Sequence, residues 1–160
     1  VPGGDLLVTE RPGRLRLVRG GKLLPTAVSG VPAVVPAGQG GLLDVVVHPN
    51  FAQNRYVYLT YSKQVNGGST TALHRAKLVN DALVEGQDIF VADTRGRPGH
   101  FGSRLAFDGK GHLFMTVGDR QAPPEGDLPA HPAQALSTHQ GKVLRLMEDG
   151  TVPKDNPFVG

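Results

Sequence analysis

Short apolar runs, separated by glycine, proline and polar residues, recur along the chain. Three of these runs resemble one another, each an apolar strand pattern with one threonine at the same place: GDLLVTE (4–10), RYVYLTY (55–61) and GHLFMTV (111–117). The threonines are Thr9, Thr60 and Thr116, and they lie roughly fifty residues apart. The pattern therefore indicates an internal repeat.

Further strand patterns flank these runs. They follow or precede the repeated segments at similar distances: GRLRLVRGGKL (13–23), GGLLDVVVHPN (40–50), TALHRAKLVNDALV (71–84), SRLAFDGKG (103–111) and GKVLRLMEDGTV (141–152). Four strands in a unit of about fifty residues are typical of a β-propeller blade. No long amphipathic helical pattern competes, so we expect no α-helix longer than about two or three turns.

We therefore predict an all-β fold of four-stranded antiparallel blades that form one β-propeller domain over residues 1–160. Blade 1 is expected to be incomplete and to occupy residues 1–35, blade 2 residues 36–95 and blade 3 residues 96–160. Because propellers close with four or more blades, we expect the chain to be the N-terminal part of a larger propeller and to cover about its first three blades.

Composition narrows the classes of function. The net charge is only +3, and the basic residues concentrate in RPGRLRLVRGGK (11–22), where Arg14 and Arg16 alternate with leucines. This pattern predicts the solvated face of a half-buried strand, and no aromatic ladder for stacking bases accompanies it, so we expect no nucleic-acid partner. Cysteine is absent, which excludes disulfides and cysteine-based nucleophiles or metal sites. No apolar stretch approaches the length of a membrane span.

One predicted hairpin carries a histidine and an aspartate at its two ends. In GHFGSRLAFDGKGHLFMTVGD (99–119), Phe107 and His112 flank a glycine-containing turn. If these two residues pair in an antiparallel ladder, His100 falls opposite Asp119, with Cβ atoms about 5 Å apart. The sequence thus predicts a hydrogen-bonded carboxylate–imidazole pair, although a register slip of one residue would separate the two side chains.

Such a pair can act as a general base, because the carboxylate fixes the imidazole tautomer and stabilises the imidazolium formed on proton abstraction. The alternative is a polar pair that merely closes a strand end. Two other positions are candidates for a defined role. His48 follows an apolar run and is expected to satisfy a turn, whereas Gln39, in the loop AGQGGLLD (37–44), precedes a buried strand and is placed to face a central channel.

Three long segments carry a family resemblance: GQGGLLDVVVHPNFAQNRYVYLTYS, HFGSRLAFDGKGHLFMTVGD and QGKVLRLMEDGTVPKDNPF. Together they resemble the PQQ-dependent soluble glucose dehydrogenase and aldose sugar dehydrogenase family, over essentially the whole chain. The resemblance implies a six-bladed propeller that is periplasmic or secreted. It also implies oxidation of the anomeric carbon of aldoses to lactones, with pyrroloquinoline quinone (PQQ), held partly by calcium, as cofactor.

Carried over to this sequence, the resemblance makes His100 the catalytic base, which takes the proton of the anomeric hydroxyl while hydride leaves C1 for the quinone. It makes Asp119 the acid that orients the base, and it makes Gln39 and His100 cofactor contacts. The implied partners are an aldose and an artificial, quinone or cytochrome electron acceptor. Calcium ligands and a quinone-contacting arginine are expected in later blades, so we predict no metal ligand in this stretch and no turnover by these 160 residues alone.

Two other functions remain open on the residues alone. A propeller lactonase with a channel metal would need several carboxylates converging on the axis, and this stretch offers only Asp119 and Asp44. A non-enzymatic propeller that binds a partner on its rim is equally compatible with the fold. The feature that distinguishes a dehydrogenase is the His100–Asp119 pair together with Gln39, since a binding module needs none of the three.

Overall fold

The computed structural model describes residues 1–94, 96–123 and 126–158. Within these ranges the chain is all-β, as predicted, and its strands follow one another in the order β1 (Leu6–Glu10), β2 (Arg14–Arg19), β3 (Lys22–Leu23), β4 (Leu42–Val47), β5 (Tyr56–Val65), β6 (Gly68–Val79), β7 (Ala82–Val91), β8 (Gly102–Phe107), β9 (His112–Val117) and β10 (Lys142–Met147).

Helical structure in the described residues is short. It consists of the four-residue helix α1 (Phe51–Asn54) and two 3-10 turns, Leu128–Ala130 and Pro132–Gln134. The expectation that no long α-helix would occur is thus confirmed for this part of the chain. No helix among the described residues is long and apolar enough to cross a membrane.

The strands form three antiparallel sheets, in which each strand pairs with its neighbour in sequence. The orders are β1–β2–β3, β4–β5–β6–β7 and β8–β9–β10. The middle sheet has the four strands of a propeller blade, and the other two show three strands each within the described residues. Short turns, which join antiparallel neighbours, account for this order everywhere except between β9 and β10, where the longer segment 118–141 makes the connection.

The core lies between neighbouring sheets. Alternate residues of β5 point to opposite faces, as strand geometry requires. Leu59 belongs to an apolar cluster with Leu15 and Leu17 of the first sheet, whereas Tyr58 packs with Leu113 of the third sheet. Each fully buried side chain of this kind contributes about 1.5–3 kcal/mol, so burial on both faces of the middle sheet holds the three sheets together.

The repeated threonines connect one sheet to the next. The Thr9 hydroxyl donates to the carbonyl of Leu43 (2.7 Å), and the Thr60 hydroxyl donates to the carbonyl of Ser103 (3.0 Å). Both acceptors lie in β-bulges of the first strand of the following sheet. Thr116 accepts a backbone N–H at the bulge of its own sheet (2.9 Å). The sequence repeat therefore reflects a repeated contact between sheets.

The predicted hairpin register is wrong near the turn. Phe107 pairs with Leu113 rather than with His112. A β-bulge between Gly102 and Leu105 places one additional residue on β8, and this restores the predicted register at the strand end, where Gly102 pairs with Val117. The two strand ends therefore meet in the predicted alignment, although the ladder between them is shifted by one residue.

The basic segment 11–22 is only partly solvated. The Arg14 side chain is exposed, as expected, but Arg16 is only 16% exposed and donates to Glu10 and to the carbonyl of Leu24. These contacts assign the arginine to the packing of the first sheet.

Candidate active site

Two loops meet where the first strands of the second and third sheets begin. The backbone N–H of Gln39 donates to the carbonyl of Pro98 (2.8 Å), and the backbone N–H of His100 donates to the side-chain oxygen of Gln39 (2.8 Å). Gly38 permits this approach, since a Cβ atom there would lie 2.2 Å from the carbonyl oxygen of Pro98. The contacts bring two of the predicted site residues together.

The third predicted residue joins them from the end of the hairpin. The His100 Nδ1 and Asp119 Oδ1 atoms are 2.7 Å apart, so the predicted pair is present. His100 has a φ of 46°, an unfavourable backbone conformation for a residue with a side chain. Gly118 allows the strand ends to close, because a Cβ atom there would lie 1.9 Å from the carbonyl oxygen of His100.

The charges of the pair follow from its contacts. The hydrogen bond from His100 is the main reason that the pKa of Asp119 lies below its usual value, and the backbone N–H of Gln121 adds to the effect. Asp119 is therefore ionised at neutral pH and holds the imidazole through an Nδ1–H.

The other nitrogen of the imidazole is accessible. The His100 side chain is 53% exposed, and no hydrogen bond among the described residues uses its Nε2 atom. In a neutral imidazole whose Nδ1 donates to a carboxylate, Nε2 carries a lone pair that can accept a proton. The arrangement can thus act chemically as a general base at the surface of the two loops.

Sequence reasoning missed the arginines that hold these loops. Arg11 follows β1, and its guanidinium donates to the carbonyls of Pro36 (3.1 Å) and Gly38 (2.9 Å) in the Gln39 loop. Arg120 performs the same task in the His100 loop. Proximity to the predicted acid was the only sequence signal for Arg120, and no local pattern indicated Arg11.

One further side chain contacts the backbone of the pair. The Gln140 side chain donates to the carbonyl of Asp119 (3.0 Å) and so fixes the backbone of the pair.

His48 lies apart from the His100–Asp119 pair. Its Nδ1 accepts the backbone N–H of Asn50 (2.9 Å), and its Nε2 lies 3.0 Å from Glu148, in agreement with the expected role at a turn.

No group of three or more His, Asp or Glu side chains in the described part of the chain could hold a metal ion. Asp44, a candidate ligand of a channel metal on the sequence alone, instead joins two sheets. Its carboxylate accepts the backbone N–H of Leu105 (2.8 Å) and pairs with Arg104 (2.9 Å). This contact uses both oxygens of Asp44 within the protein.

The whole chain, residues 1–160, matches the Glucose / Sorbosone dehydrogenase family, and the chain belongs to that family. It is 45% identical to the uncharacterized protein slr1608 of Synechocystis sp. (strain ATCC 27184 / PCC 6803 / Kazusa), with 99% of this chain and 41% of that protein covered. It is 42% identical to aldose sugar dehydrogenase YliI of Escherichia coli (strain K12), with 96% of this chain and 41% of that protein covered.

A solved structure shows the same fold. It is the PQQ-bound form of aldose sugar dehydrogenase (Adh) from Streptomyces coelicolor, with a TM-score of 0.83, 27% identity and coverage of 100% of this chain and 46% of that chain. The chain thus spans less than half the length of these relatives. The family and the fold class predicted from the sequence, part of an all-β propeller with antiparallel sheets, are confirmed.

Proposed function

We propose that this protein is a dehydrogenase that oxidises the anomeric carbon of aldoses to lactones, with PQQ as its cofactor. The observation that carries the proposal is the His100–Asp119 pair, whose imidazole is 53% exposed and whose backbone is held by Gln39. The names of two relatives support it, since one is an aldose sugar dehydrogenase and the other an aldose sugar dehydrogenase in its PQQ-bound form.

The two loops offer one hydrogen-bond donor of the kind that PQQ could use. The side-chain oxygen of Gln39 is occupied by the His100 N–H, and its amide nitrogen has no partner among the described residues. This N–H₂ group is a donor for a quinone or carboxylate oxygen, groups that PQQ carries. Gln39 and His100 would therefore hold the cofactor. The described residues form no metal site and so do not fit calcium.

In the proposed reaction, the Nε2 atom of His100 takes the proton of the anomeric hydroxyl. Asp119 keeps Nδ1 protonated, holds the ring in place and stabilises the imidazolium as its charge develops. The side-chain oxygen of Gln39 accepts the backbone N–H of His100 and so holds the backbone of the base. When bound, PQQ supplies the acceptor for the hydride that leaves C1, while the protein supplies position and base strength.

The proposal extends to the location and the electron acceptor. Export to the periplasm or the medium, calcium at the cofactor, and an artificial, quinone or cytochrome acceptor are all implied by the family resemblance. They are independent of the chemistry assigned to His100.

The test is reconstitution of the full-length protein with PQQ. We expect dye-linked oxidation of glucose and other aldoses to lactones only after PQQ is added. The Gln39→Ala variant should bind PQQ on the order of tenfold more weakly, because it loses one hydrogen bond. Affinity can be read from the PQQ concentration that gives half-maximal activity.

Gln64→Ala is the matched control, because among the described residues this exposed glutamine donates to the Val65 and Gly68 carbonyls at the end of its own hairpin and contacts neither Gln39 nor His100. Its PQQ affinity should equal that of the wild type. Sugar oxidation without PQQ, or equal PQQ affinity in the Gln39→Ala and wild-type proteins, would contradict the proposal.

A further inference from the structure

Arg120, the residue after Asp119, is almost completely buried. It is 1% exposed, and no carboxylate of the described residues pairs with it. Burial lowers the pKa of its guanidinium below the usual value. A charge without a counter-ion is costly to bury, so the contacts it makes must offset that cost.

The guanidinium uses its donors on backbone and hydroxyl oxygens. The acceptors surround it and come from three segments: Gly99 O (3.0 Å), Arg97 O (2.8 Å), Ser69 O (2.8 Å) and Thr94 Oγ1 (3.3 Å). A planar guanidinium has five N–H donors in fixed directions, so it can reach more acceptors from separate segments than the three donors of an ammonium group can. Arg120 thus ties the 97–99 segment to the β5–β6 hairpin.

These contacts flank the proposed base on both sides. Gly99, whose carbonyl accepts from Arg120, directly precedes His100. Phe101, whose ring centroid lies 4.0 Å from the guanidinium carbon of Arg120, directly follows it. Phe101 is itself buried, and its carbonyl accepts a hydrogen bond from Thr71 (2.9 Å). The backbone of His100, between Gly99 and Phe101, therefore has little conformational freedom.

We propose that Arg120 is a positioning residue that holds the backbone of His100 in the conformation from which its imidazole reaches Asp119. The φ of 46° at His100 is unfavourable and persists only where surrounding contacts impose it. Arg120 supplies such contacts before and after His100. The consequence for catalysis rests on the function proposed above, whereas the consequence for the His100–Asp119 pair does not.

The test compares Arg120→Met and Arg120→Lys in the full-length protein. The first readout needs neither sugar nor PQQ: it is the titration of the Asp119 carboxyl carbon by NMR. Because the His100 hydrogen bond holds the pKa of Asp119 below its usual value, disengagement of His100 should raise that pKa in both variants. A purely structural role for Arg120 would leave this titration unchanged.

The second readout is the split between kcat and KM for glucose in the PQQ-loaded protein. We expect kcat to fall by about 10²-fold in Arg120→Met, as small misplacements of catalytic groups do, while KM changes little. Arg120→Lys should lose less, because it keeps the positive charge and three N–H donors, although these lack the planar fork. Arg104→Met is the matched control: its side chain is 78% exposed in the same hairpin, and both readouts should stay at wild-type values.

An unchanged Asp119 titration in a folded Arg120 variant would overturn the proposal, whatever happens to kcat. If Arg120→Met does not fold, Arg120→Lys decides in the same way. If the pKa of Asp119 rises in the variants but even the wild-type protein oxidises no sugar, the positioning role is supported and the proposed function is contradicted.

Discussion

Two histidine–aspartate pairs in this chain have nearly the same geometry and very different surroundings. The Nδ1–Oδ1 distance is 2.7 Å in His100–Asp119 and 2.8 Å in His74–Asp88. The His100 side chain is 53% exposed, whereas that of His74 is 9% exposed. The Nε2 atom of His74 is buried without a hydrogen-bond partner among the described residues, and a Cβ atom at Gly86 would lie only 2.6 Å from it. No substrate could reach it there.

The aspartates differ as well. Asp88 accepts hydrogen bonds from Tyr61 (2.9 Å), Lys63 and His74 within the sheet. Burial raises the pKa of Asp88, but these hydrogen bonds outweigh it and hold the pKa below its usual value. Burial, with Asp88 nearby, also raises the pKa of Tyr61. The buried pair is therefore part of a structural network. A histidine–aspartate hydrogen bond does not define a catalytic site, and access to the second nitrogen separates the two cases.

The largest expected effect is on turnover. His100→Ala in the PQQ-loaded, full-length protein should lower kcat for glucose by about 10²–10⁴-fold, the usual contribution of a positioned general base. Asp119→Asn should lose part of that rate, because an amide does not stabilise the imidazolium. Measured per folded molecule, His74→Ala should keep wild-type turnover. Wild-type kcat in His100→Ala would remove the distinction between the two pairs.

The second effect is on stability, where the loss of His74 should cost more than the loss of His100. His74→Ala should lower the free energy of unfolding by about 1–3 kcal/mol, because it leaves the partly buried Asp88 without one of its partners. His100→Ala should change it much less, since that side chain is more than half exposed. Denaturant titrations of both variants check this. Equal destabilisation would show that His100 is as structural as His74.

The smallest effect concerns acid stability. A carboxyl whose folded-state pKa is lowered stabilises the fold above its unfolded value, near 3.8, and this contribution is lost as the pH falls through the folded-state value. Asp88→Asn should therefore flatten the decline of the unfolding free energy below about pH 4, a region set by the usual carboxyl values. Asp119→Asn should flatten it less, because solvent screens the exposed pair. Parallel declines in wild type and Asp88→Asn would contradict the assignment.

The strand pattern and the pairing of residues in the proposed site could be predicted from the sequence. Alternation of apolar residues located the hairpin strands, because side chains of a strand point alternately to its two faces. The repeat of Thr9, Thr60 and Thr116 was visible because the same contact between sheets recurs. The pairing of His100 with Asp119 was predicted from hairpin symmetry, although the bulge after Gly102 was needed to achieve it.

Only the tertiary structure decided what each of these residues can do. His74 and His100 look alike in the sequence, and the packing of sheets buries one and exposes the other. Arg120 resembles a surface arginine, yet it donates to the carbonyl of Ser69, 51 residues away in the chain. Local sequence patterns indicate the face of its own strand to which a side chain points. Burial and contacts between distant segments depend on how the sheets pack, and they set the accessibility and position of the proposed base.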